Sequence, residues 1–90
     1  MTPNEQETAR ISDIIRKYCK NKYIDDGRKK KLYVVGIRAG DVHDELNYKN
    51  RYPAICAALG SNKFEEECQI KRIAIIGPIN GVNTLFVYTL

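Results

Sequence analysis

Ninety residues, 43% hydrophobic and 29% charged, suffice for one small domain, expected to span 1–90, and are too few for two separate cores or a deep enclosed substrate cavity. No apolar run approaches the roughly 18 residues of a membrane span, and Met1-Thr2-Pro3-Asn4-Glu5 lacks the charged and apolar regions of a signal peptide, so a cytoplasmic protein with no membrane partner is expected. The net charge of +4 places the burden on where the charges lie.

Residues 1–27 balance five bases against five acids, whereas Arg28, Lys29, Lys30, Lys31 and Arg38 face no acid within 28–38. Residues 39–69 carry three bases and six acids, and Lys71 and Arg72 follow. A concentrated basic segment attracts a phosphate backbone through counterion release, although a solvated loop carries one equally well. Cys19, Cys56 and Cys68 are too few and too widely spaced for a disulfide framework, and with His43 as the lone histidine and no CxxC pair, neither a metal nor another cofactor is expected. The cysteines read as small buried hydrophobes.

Along the chain, Thr2-Pro3-Asn4-Glu5 signals a helix start, with Thr2 as N-cap and Glu5 closing a capping box. Ile11, Ile14, Ile15 and Tyr18 share one face, opposite Arg10, Asp13, Arg16, Lys17 and Lys20, so a first helix is expected over 3–22 and a turn at Asp25-Asp26-Gly27. Leu32 to Ile37 is rich in β-formers and predicts a strand over 33–38, broken at Gly40. Asp41 then reads as the N-cap of a second helix, 42–47, with Val42 and Leu46 on its apolar stripe. After the polar connection 47–50, Pro53 opens a third helix, 51–60, with Ile55, Cys56 and Leu59 inward, and Asn62 with Glu65 caps a further short turn through Cys68.

Residues 70–76 and 84–90 are strand-like, and Asn80-Gly81 between them suits a type I′ hairpin turn, whose two central residues both need positive φ. That turn would place Ile73 opposite Tyr88, Ile75 opposite Phe86 and Ile76 opposite Leu85, leaving both ribbon faces apolar. Such a ribbon wants a cover. A homodimer is the expected one.

An α+β order of helix, short strand, helix, turn, helix and hairpin resembles the winged helix-turn-helix domain, through Val42 and Leu46, the Tyr48-Lys49-Asn50 turn, Ile55 and Leu59, and the hairpin around Asn80-Gly81. The resemblance implies a DNA-binding module, a small transcriptional regulator or DNA-reading domain, with double-stranded DNA as partner and the third helix in a major groove. Lys49, Asn50, Arg51, Tyr52 and Ala54 would then face the bases, since Arg pairs with guanine, Asn with adenine, and a small side chain permits close approach. Asn50 suits a helix cap equally well, Tyr52 a packed core aromatic, and Arg51 a surface ion pair. Asn80 and Asn83 would lie against the backbone at the wing, and the basic run Arg28 to Lys31 would contact flanking phosphates, on a loop that need not face the same duplex.

The alternative is a winged-helix protein–protein interaction module working through the apolar ribbon. Catalysis is not expected: His43, read as a surface residue on an acidic helix, and Cys56, on an apolar helical face, do not converge as base and nucleophile.

Overall fold

A computed structural model describes residues 3–90. The N-cap expected at Thr2 lies outside them. Helix α1 (Pro3–Cys19) buries Ile15 and Cys19 completely, while Ile14, expected on the same face, is 44% exposed. Arg16, expected toward solvent, is buried, with Asp13 as its ion-pair partner. Burial pushes the Cys19 thiol up to about 12, with Glu45 and Cys68 adding to the shift.

The turn expected at Asp25-Asp26-Gly27 is absent, because the helix passes through it. A π-helical stretch (Lys20–Asp25) leads into a last α-helical turn, α2 (Asp26–Lys29). The wider π spacing alters the helical phase. Ile24 and Gly27 are both buried, and a Cβ on Gly27 would meet the Leu90 side chain. Lys20 with Asp25 and Lys30 with Asp26 pair across the turns that the acids were expected to end. The helix stops instead at Lys31, whose φ of 58° is left-handed; there the Leu32 amide donates to Gly27 O and the Lys31 amide to Arg28 O, a Schellman closure without glycine at the left-handed position.

Strand β1 (Val34–Arg38) matches the expected strand within one residue. The next helix, α3, spans Ala39–Glu45 and so starts before the Asp41 expected to cap it, with Gly40 inside its first turn. No side chain caps it. Its first amides bond to the hairpin loop instead: Ala39 N donates to Thr84 O at 2.8 Å and Gly40 N to Val82 O at 2.9 Å. These carbonyls satisfy donors that an N-cap would otherwise serve. Asn47, at φ 57°, closes the other end, where the Tyr48 amide donates to His43 O.

Helix α4 (Tyr52–Leu59) buries Ile55, Cys56, Ala58 and Leu59, and α5 (Asn62–Cys68) follows at once. The cap of α5 is Ser61, whose hydroxyl accepts from Phe64 N. The expected cap, Asn62, is the first helical residue, and Glu65 accepts from the amide of Arg72.

Strands β2 (Lys71–Ile76) and β3 (Leu85–Thr89) complete a three-stranded antiparallel sheet in the order β1-β3-β2. Near the loop the expected register holds, with Ile75 opposite Phe86 and Ile76 opposite Leu85. Beyond Ala74 it shifts: Arg72, not Ile73, faces Tyr88. The Glu65 carboxylate on the Arg72 amide and the Arg72 guanidinium on Gly60 O hold that shifted position. The connection, 77–84, is not type I′, because Asn80 has φ +60° but Gly81 does not have positive φ. Thr84 shapes it instead, its hydroxyl donating to Pro78 O and accepting from Gly81 N.

Phe86 and Tyr88 face the helices, Tyr88 donating its hydroxyl to Leu59 O and meeting Phe64 edge-on at 5.4 Å. The architecture is α+β, with the helices supplying the cover for one sheet face. Ile73 and Ile75, set opposite Tyr88 and Phe86 by the expected turn, are 52% and 47% exposed and lie outside this cover. No helix among the described residues is long and apolar enough to cross a membrane.

Replacing Gly40 by Ala tests the junction between α3 and the loop. A Cβ there would sit 2.7 Å from the carbonyl oxygen of Val82 and 2.6 Å from its side chain. Helix propensity favours Ala by about 1 kcal/mol, but displacing a hydrogen-bonded carbonyl outweighs it, so urea unfolding should show a net loss of about 1–3 kcal/mol. A stabilised Gly40→Ala variant would contradict this packing.

Candidate nucleic-acid interface

The connection between α3 and α4 exposes Lys49, Asn50 and Arg51 in succession, with Asn50 in the left-handed region at φ 56°. Arg51 occupies the N-cap position of α4 without capping it through its side chain. That role falls to His43 of α3. His43 is 6% exposed, contrary to the surface position expected of it, and its Nε2 accepts the Arg51 backbone N–H at 3.2 Å. Tyr52 stacks on the imidazole with ring centroids 4.1 Å apart and 13° between planes. Tyr52 is half-buried as part of this stack, which fits the packing role open to it.

Along α4, Pro53 and Ala57 are exposed one turn apart, whereas Ala54 is half-buried against the core. Pro53 is free to sit at the helix start because no intrahelical acceptor awaits its missing N–H. Pro53, Ala57, Ile75, Ile79, Asn80 and Phe86 line a mostly apolar cleft of about 330 Å³ between α4 and the hairpin. The backbone bonds from Ala39 and Gly40 fix the loop side of this cleft. Asn80 therefore lies across this cleft from Pro53, at the start of α4.

Asn83 has a different setting. Its Oδ1 accepts from Nε and Nη2 of Arg38, at 3.3 and 2.9 Å, while Nη1 of Arg38 pairs with Asp41 at 2.7 Å. The Asn83 oxygen is thus engaged within the fold, and the charge of Asp41 is balanced. Asp44 remains an exposed acid near His43. Glu45 turns away toward the long helix: burial pushes its carboxyl up, but hydrogen bonds from Lys22, Tyr23 and Tyr18 outweigh this and hold it below the usual range. Burial first, and then its bond to Glu45, raise the Tyr23 hydroxyl.

The basic run is not brought to this cleft. Lys31 lies three residues before Val34, which pairs with Thr89, at the sheet end opposite loop 77–84. Arg28 donates to the carbonyls of Cys68 and Gln69, and Lys30 pairs with Asp26, which leaves Lys29 and Lys31 the exposed bases of the run without an ion pair among the described residues. Sequence spacing placed these residues in a loop and missed the tie from Arg28 to α5, which spans forty residues of sequence. The apolar ribbon was expected to need a cover, but strand alternation does not show that Ile75, with Ile79 of the loop, forms the wall of a cleft with α4.

No protein family model, curated protein or solved structure matches the chain.

His43→Leu removes the acceptor for the Arg51 amide while keeping an apolar side chain of similar size. An unpaired backbone donor costs about 1–3 kcal/mol, so the variant should lose that much stability to urea and the first turn of α4 should exchange its amide hydrogens faster. Unchanged exchange at Arg51 and Tyr52 would show that His43 does not hold the start of α4.

Proposed function

We propose that this chain is a winged helix-turn-helix module that binds double-stranded DNA, with the start of α4 in a major groove and loop 77–84 against the adjoining backbone. The element order, the β1-β3-β2 antiparallel sheet and the α3–α4 pair support this reading. The observation that carries it is the cleft that sets Pro53, at the start of α4, against Ile79 and Asn80 of a hairpin loop that Ala39 and Gly40 hold by backbone bonds, with exposed Lys49 and Asn50 just ahead of that helix. A major groove about 12 Å wide admits a helix, and the small exposed residues of α4 permit close approach. In this reading Lys49 meets a phosphate, Asn50 an adenine edge, and Asn80 the sugar-phosphate backbone. Asp44 opposes phosphates and limits affinity.

Exposed Ile73, Ile75, Ile76 and Ile79 favour a further element of the proposal, a homodimer formed through the hairpin. Two copies would suit half-sites about one helical turn apart. If instead the ribbon serves a different protein and no DNA is bound, the module is an assembly domain.

Fluorescence anisotropy with a duplex library at about 50 and 200 mM salt should show binding that weakens steeply with salt. Lys49→Ala should weaken all sequences evenly and flatten the salt slope by about 1, while Asn50→Ala should cost about 1–3 kcal/mol at one base position. Absence of binding at the lower salt would count decisively against the DNA reading.

Sedimentation equilibrium over micromolar concentrations addresses the dimer separately. Reversible dimerisation that Ile75→Lys abolishes is the expected result; a monomer throughout would remove the hairpin as a self-association surface.

A further inference from the structure

At the sheet end remote from the hairpin loop, three segments place four exposed residues at the same end of the fold. Arg28, held to the carbonyls of Cys68 at 2.7 Å and Gln69 at 3.0 Å, docks the end of α2 beside the chain entering β2 at Lys71. Thr89 pairs with Val34 on one side and Lys71 on the other, and the Leu90 amide donates to Tyr33 O at 3.0 Å. Lys29, Lys31, Tyr33 and Lys71 therefore crown one sheet end, and Tyr33 is 88% exposed.

Of the acids near this end, Asp26 pairs with Lys30 and Asp25 with Lys20, while Glu65, which accepts from the Arg72 amide, and exposed Glu66 have no ion-pair partner among the described residues. Among the described residues Lys29, Lys31 and Lys71 have no ion-pair partner. Lys29, Lys31 and Lys71 and the exposed phenol of Tyr33 are the groups a polyanion would meet at this end. Tyrosine hydroxyls and lysines are common contacts to nucleic-acid phosphates.

We infer that this end of the sheet is a second phosphate-binding surface for the backbone of a nucleic-acid duplex, separate from α4. Strands of five and six residues, about 3.3 Å per residue, put roughly 20 Å between it and the hairpin loop. One molecule can then engage two duplex segments. An anionic membrane is the competing occupant, since Leu32, Tyr33 and Val34 are 47%, 88% and 46% exposed beside the lysines, but three side chains offer far less area to insert than the apolar face of an interfacial helix. The inference goes beyond the reading of α4 and does not require it.

The test compares wild type with a Lys29→Ala, Lys31→Ala, Lys71→Ala triple variant, using Lys63→Ala as the control for loss of an exposed lysine. Binding to a random duplex is followed from about 50 to 200 mM salt, and bridging by energy transfer between two separately labelled duplexes. The triple variant should flatten the salt slope by about 2–3 and abolish bridging, while Lys63→Ala changes neither. Loss of binding in the triple variant with none in a Lys49→Ala, Asn50→Ala double variant would sustain this surface and remove the one at α4. An unchanged slope and unchanged bridging in the triple variant would overturn the inference. Binding to phosphatidylserine vesicles but not to duplex would overturn it too.

Discussion

The two backbone hydrogen bonds from Ala39 and Gly40 to Thr84 and Val82 determine where the rest of the candidate interface can lie. They join the start of α3 to the end of the hairpin loop, so that two segments more than forty residues apart share one corner. An ordinary side-chain cap would have satisfied the helix but left the loop unattached. Here the same donors serve both purposes. Gly40 is required because its Cα passes so close to the Val82 carbonyl that no side chain fits between them.

From that corner the structure is tied outward by polar contacts that cross the core. Tyr88, on the central strand, donates to Leu59 O and fixes the end of α4 over the sheet. His43 fixes its beginning through the Arg51 amide and the stack with Tyr52. The long helix is attached to α3 through Glu45, which collects Lys22 and Tyr23 from the π-helical stretch. A π turn in this place has a physical use: it shifts the helical phase, while Ile24 and Gly27 remain buried and Arg28 reaches the end of α5.

Charge is distributed between opposite ends of the sheet. The α4 end is modestly charged, with Arg38 balancing Asp41 and Asp44 left over, and its cleft is mostly apolar. The other end holds Lys29, Lys31 and Lys71, with Asp25 and Asp26 already paired to other lysines. Long-range attraction to a polyanion would therefore arise chiefly at the end away from α4, whereas shape and close contact reside at α4. This separation makes a single flat interface a poor description of the molecule and gives the two proposed surfaces different physical roles.

The sequence by itself determined the element types and most of their limits, because apolar spacing, β-formers and turn residues act over a few neighbouring positions. Strand β1 and helix α4 follow from such local signals, whereas the hairpin register near the loop coincides with the expected one although the turn that would set it is not formed. The misread places are those where distant groups outweighed local preference. Asp25-Asp26-Gly27 carries turn chemistry, yet Gly27 lies buried beneath Leu90 and both acids find helical partners. Asp41 is a good cap, but the hairpin carbonyls satisfy the helix two residues earlier. His43 looks solvated on an acidic helix, and only the return of Arg51 and Tyr52 encloses it. Likewise, spacing cannot reveal that Arg28 is committed to α5, or that Lys71 falls at the same sheet end as the close of α2. Tertiary structure decided these points, since the bonds concerned join residues far apart in the chain, and their energies enter only when the chain has closed on itself.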